Sequence, residues 1–82
     1  MQMKTRIDEL SVGSIGIVVG YDSTYGGYIG KLMAMGLTPE TEFVVLEISS
    51  TQGGVSILLQ DRILNLSKLE VNALCVEENC DR

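Results

Sequence analysis

The sequence predicts a mainly β fold: a small five-stranded barrel with one short helix after the first strand and a helical turn before the last. Short apolar runs of period two recur along the chain, separated by glycine and polar clusters. Only the stretch from Tyr25 to Met33 has apolar spacings of three and four. With 82 residues, there is room for one domain and one core. That domain spans residues 1–82, with its core between residues 7 and 76. Short antiparallel strands tend to curl and close, which makes a barrel the natural arrangement.

Ile7, Leu10 and Val12 belong to a lead-in segment that Gly13 turns. Ile15, Ile17 and Val19 then alternate with Gly16 and Val18 as a first strand. Gly16 and Gly20 point to bends or a close backbone approach within it. Asp22, Ser23 and Thr24 each carry a side-chain oxygen able to cap a helix. Tyr25, Tyr28, Ile29, Leu32 and Met33 make its apolar face. Gly26, Gly27 and Gly30 each weaken it by roughly 1 kcal/mol against Ala where they fall in its interior, so its first turn reads as loop. Gly36 stands where a left-handed residue ends a helix, and Pro39 follows.

Residues 41–48 form the next strand, with Phe43, Val45 and Glu47 on one face and Val44, Leu46 and Ile48 on the other. A strand apolar on both faces belongs in a packed barrel or at an interface. Residues 49–54 read as a polar hairpin loop. Val55, Ile57 and Leu59 alternate with Ser56, Leu58 and Gln60. Asp61 and Arg62 make a tight turn, and residues 63–66 form another short strand. Ser67-Lys68-Leu69-Glu70 matches a capping box and predicts one short helical turn. Leu74 and Val76 close the domain, and the polar tail at 77–82 is expected to fray.

Composition narrows the function. The chain has no His, so the usual general base near neutral pH is missing, and with it any Ser-His-Asp or Cys-His arrangement. The carboxylate pairs Asp8/Glu9 and Glu77/Glu78 read as solvated surface charges. Gly26-Gly27-Tyr28-Ile29-Gly30-Lys31-Leu32 lacks the spacing, and the Ser or Thr after Lys, of a phosphate loop. The expectation is therefore a protein that is not an enzyme and needs no cofactor. A net charge of −5 with scattered basic residues argues against nucleic acid and against anionic membrane surfaces. No window is long and apolar enough to span a bilayer, and no signal peptide is evident, so a soluble cytoplasmic protein without membrane insertion is expected.

Cys75 and Cys80, near Glu77, Glu78 and Asp81, are the low-ranking metal candidates. Two thiols without His leave a zinc set incomplete in one chain, and two incidental cysteines are the simpler reading. Tyr25, Tyr28, Met33 and Met35 crowd the helix and its end, in either a core or an interface. Tyr28 and Leu32 suit the core, whereas Tyr25 and Met35 suit the surface.

The segment Leu32-Met33-Ala34-Met35-Gly36-Leu37-Thr38-Pro39-Glu40-Thr41-Glu42-Phe43-Val44-Val45 resembles the motif of the FeoA family. That motif runs from a basic residue and Leu, through Gly-Leu and Pro-Gly, into a strand. Lys31-Leu32 stands in the place of the usual Arg-Leu. Leu10, Val12-Gly13 and Gly16 resemble the family's opening. Ile63-Leu64-Asn65-Leu66-Ser67-Lys68-Leu69-Glu70-Val71 and Leu74-Cys75-Val76 resemble its close. Two departures stand out: Glu40 replaces the Gly usual after Pro39, and the segment 20–27 differs in length and content.

The resemblance implies an SH3-like barrel acting as a cytosolic accessory that binds and modulates FeoB, the ferrous-iron transporter with a G-domain. Similar domains close iron- and manganese-dependent repressors, but no DNA-reading helix pair is present here. Docking is expected through the helix and the loop after it, on Tyr25, Lys31, Met35 and Leu37. A sharper version has Lys31 or Arg62 supply charge to the phosphoryl group of a GTPase. The alternatives are a metal-responsive sensor using Cys75 and Cys80, or a free-standing SH3-like interaction domain. A homodimer formed along an exposed barrel edge is compatible with either.

Overall fold

The computed structural model describes residues 5–79. A 3-10 turn, Ile7–Glu9, leads into β1, Ile15–Tyr21. A second 3-10 stretch, Ser23–Tyr28, runs into α1, Ile29–Ala34. Next come β2 (Glu42–Ile48), β3 (Val55–Leu58) and β4 (Ile63–Leu66). The short helix α2 (Lys68–Ala73) then leads into β5 (Leu74–Glu78). The five strands form one sheet in the order β4-β3-β2-β1-β5, every neighbouring pair antiparallel. This is the SH3-like fold the sequence predicts. Its barrel is open between β4 and β5, the two strands that α2 connects.

Alternation sets the two faces of the sheet. Gly16 faces Phe43, Val45 faces Ile57, Ile57 faces Leu64, and Val18 faces Val76. These are the inward positions. Val18, Phe43, Val45, Ile57 and Val76 are buried in one cluster with Ile7 and Leu10, Leu32 of α1, and Val71 and Ala73 of α2. The core is almost wholly aliphatic, with Phe43 its largest buried side chain.

Gly16 is needed where it stands. A Cβ at this position would sit 2.5 Å from Phe43 Cζ and 2.8 Å from Cε1, so the ring lies directly over the glycine backbone. Gly20 has open space instead and adjoins a register shift between Val18 and Gly20. The shift lets Val18 and Tyr21 both face β5, opposite Val76 and Leu74.

Two expectations are corrected here. Glu47 does not share a face with Phe43 and Val45. The register shifts between Val45 and Glu47, so Glu47 is exposed and Ile48 packs against the core opposite Val55. Strict alternation would have buried an unpaired carboxylate, which is expensive, and the bulge avoids it. The polar tail begins later than expected, because β5 continues through Glu77 and Glu78, opposite Ile17 and Gly16. Asn79 extends the pairing, donating its backbone N–H to Ile15 O at 2.8 Å. Cys80 to Arg82 lie outside the described residues.

Candidate functional site

The expected docking surface lies around α1. Asp22 caps the 3-10 stretch, its Oδ1 accepting the Thr24 N–H at 2.9 Å. The glycines keep the entry to α1 in 3-10 geometry, with a non-helical kink at Tyr25. Tyr25, Tyr28 and Met35 are half-buried and pack against the core. At the far end Gly36 takes φ +95°. Its N–H bonds Met33 O at 3.0 Å, and the Leu37 N–H reaches back to Leu32 O at 3.0 Å. This is a Schellman ending, which brings the residue after the glycine against the residue five earlier. Leu32 and Leu37 are accordingly both fully buried.

Leu37 is thus a core residue and not part of any partner surface. Its backbone is fixed as well, because Tyr21 Oη donates to Leu37 O at 2.8 Å. Burial raises the pKa of that phenol.

Lys31 projects to the surface but is engaged. Its ammonium meets Glu70 Oε2 of α2, a carboxylate buried to 4% exposure. Glu70 Oε1 accepts the Ser67 N–H at 2.8 Å, and Ser67 Oγ accepts the Glu70 N–H at 3.3 Å. The capping box expected from the sequence is therefore complete, and its glutamate also ties α2 to α1. Burial alone would raise the Glu70 pKa; the Lys31 ammonium and the Ser67 groups outweigh it and hold the carboxyl below its usual value. Glu70 in turn raises the pKa of Lys31 through the hydrogen bond and the charge pair. Sequence reasoning picked out Glu70 only as a cap. Its second partner, 39 positions away in the chain, left no local signal.

Arg62, the other basic candidate, bonds Met35 O through Nη2 at 2.8 Å and so closes the C-terminal end of α1. Both cations considered for phosphoryl chemistry are thus held by the fold. Among the described residues, no group of three His, Cys, Asp or Glu side chains is placed to hold a metal. Cys75 is half-buried and unbridged, on the opposite strand face from Leu74 and Val76 as expected, and Cys80 lies outside the described residues. No helix among the described residues is long and apolar enough to cross a membrane.

Beyond the end of α1 the surface opens into a groove of about 800 Å³. Ile15, Val44 and Leu58 line it, together with Glu40, Glu42 and Asp61. The sequence signal for it was the second apolar face of β2. Which residues of β1 and β3 stand beside that face depends on register, which local sequence does not reveal.

A model of the FeoA domain matches residues 5–78. No curated protein matches the sequence. A crystal structure described as the iron uptake regulatory protein FeoA superposes with a TM-score of 0.77 at 26% identity, covering 95% of this chain and all of that one. The solution structure of a FeoA-like protein from Clostridium acetobutylicum has the same fold, with a TM-score of 0.81 at 22% identity over 100% of this chain and 94% of that one. The metal-dependent transcriptional regulator MtsR shares the fold over 37% of its own length and 96% of this chain, with a TM-score of 0.79 at 16% identity. The family match spans nearly the whole described chain, and the chain belongs to the FeoA domain family.

Proposed function

We propose that this protein is an accessory of ferrous-iron uptake that binds a FeoB-type membrane transporter on its cytosolic side and modulates it through protein–protein contact. The FeoA-domain match over residues 5–78 carries this reading. The site chemistry agrees with it. The chain has no His, and Glu70, whose carboxyl pKa is held below its usual value, is locked between two elements of the fold. Such a molecule acts by shape and surface. Of the residues expected to form that surface, Tyr25, Lys31 and Met35 remain candidates at the edge of α1, and Leu37 does not.

The test is recovery of the transporter with the tagged full chain from solubilised membranes of the source organism, paired with iron uptake in cells lacking the gene. Recovery of a FeoB-type protein, and uptake restored by the intact gene, is the expected result. Recovery of soluble proteins alone, with uptake unaffected by the deletion, would overturn the proposal.

A further inference from the structure

The outer face of the sheet carries an aliphatic row that the register makes continuous. Ile15 stands opposite Val44, Val44 opposite Leu58, and Leu58 opposite Ile63. Cross-strand partners share a face, so these four side chains cross β1, β2, β3 and β4 side by side. Ile15 is 44% exposed, Leu58 39% and Ile63 59%. Of the other exposed apolar residues, Val12, Met33 and Leu69 stand on separate elements, while Val19 and Leu46 sit at the register shifts of β1 and β2, outside this row. A contiguous apolar strip rimmed by charge marks a place where something binds.

The rim is acidic. Glu40, Glu42 and Asp61 line the groove, and its one cation, Arg62, is directed onto Met35 O. Glu42 accepts a single bond from Asn79 Nδ2 at 3.1 Å. Glu40 adds an independent observation. Thr41 N–H bonds Thr38 O at 3.0 Å across a turn with Pro39 second and Glu40 third. Glu40 takes φ +77°, the left-handed position that such a turn normally gives to glycine. It is the only non-glycine residue described with positive φ. Strain of this kind collects at functional sites, and here it keeps a carboxylate on the rim of the groove.

We infer that this groove docks a Lys- or Arg-bearing apolar segment from the cytosolic side of the partner transporter. Aliphatic side chains of the segment would lie on Ile15, Val44 and Leu58 in the groove and on Ile63, which continues the row beyond it, and its cations would meet Glu40, Glu42 and Asp61. Cytosolic loops of membrane proteins carry an excess of Lys and Arg, which gives the partner the complementary charge. A second copy of this chain is a poorer occupant, because a two-fold contact would bring two acidic rims together. The identity of the partner rests on the function proposed above, whereas the chemistry of the groove does not.

The test separates the two. The isotope-labelled full chain is titrated with a decapeptide of alternating Leu and Lys, and with its Leu-Glu counterpart, while amide shifts are followed by NMR. The expected result is that only the Leu-Lys peptide moves the amides around Ile15, Val44, Leu58 and Ile63, more weakly as salt is added. Leu58→Asp should weaken binding about tenfold or more, the loss typical of an interface anchor. The milder pair Glu40→Gly and Asp61→Asn, which leaves the sheet untouched, should weaken it while the spectrum stays folded. No shifts, shifts elsewhere, or equal response to both peptides would overturn the inference. So would concentration-dependent dimerisation abolished by Leu58→Asp, which would give the row to a second copy. If the transporter binds and Leu58→Asp leaves that binding unchanged, the groove fails and the proposed function stands. If the transporter does not bind but the peptide does, the reverse holds.

Discussion

Glu40 shows how one residue can set stability against function. A left-handed backbone at a residue with a Cβ costs about 1–2 kcal/mol, and the larger unfolded-chain entropy of glycine takes back about half of that. Glu40→Gly should therefore raise stability by about 0.5–1 kcal/mol, or a few degrees in Tm for a domain this small, while weakening partner binding. Thermal unfolding beside the peptide titration reads both changes. Gly16 presents the opposite case. Gly16→Ala would push a methyl group into the Phe43 ring and should destabilise the protein by about 1–3 kcal/mol, as overpacking does. Both positions were visible in the sequence. Gly16 fell within an apolar strand, and Glu40 stood where the family has Gly. Leu37 was misplaced for a reason that a single position hides. A glycine ending predicts that its next neighbour packs back on the helix, and that geometry decided its burial.

At the scale of elements, the Lys31–Glu70 pair joins α1 to α2, and its contribution depends on pH. The Glu70 pKa is lowered on folding, so its stabilising contribution is complete above about pH 4.3, the unfolded value, and fades as pH falls through the lowered folded pKa. The Lys31 pKa is raised, so its contribution is complete below about pH 10.4 and fades as pH rises through the folded value. Glu70→Gln should thus lose stability relative to the native chain at pH 7. The difference should shrink in strong acid and in strong alkali, as denaturant unfolding at the three conditions would show. Ser67→Ala removes the cap of α2 and should cost about 1 kcal/mol. The capping box was legible because all of its parts lie within four residues. The bulge in β2 was not, since the break in alternation at Glu47 becomes a bulge only against a paired strand.

For the whole molecule, a stability of about 0.1 kcal/mol per residue leaves a domain of 82 residues only about 8 kcal/mol above unfolding. Its core is nearly all aliphatic, so little material remains for a deep site. Fold class was readable from period and turns, because each strand and cap is specified locally. The aliphatic row was only half readable, because its four members come together through three strand pairings whose registers the local sequence does not state. The acidic charge and the missing His turn the proposed function toward binding, and membership of the FeoA family is what motivates the proposed partner. The decisive measurement is binding of the purified full chain to a FeoB-type transporter held in nanodiscs, with native and Leu58→Asp proteins compared at several salt concentrations. Saturable binding by the native chain is expected, weakening as salt rises and largely lost in the variant. A transporter that shows no saturable binding to the folded native chain would contradict it.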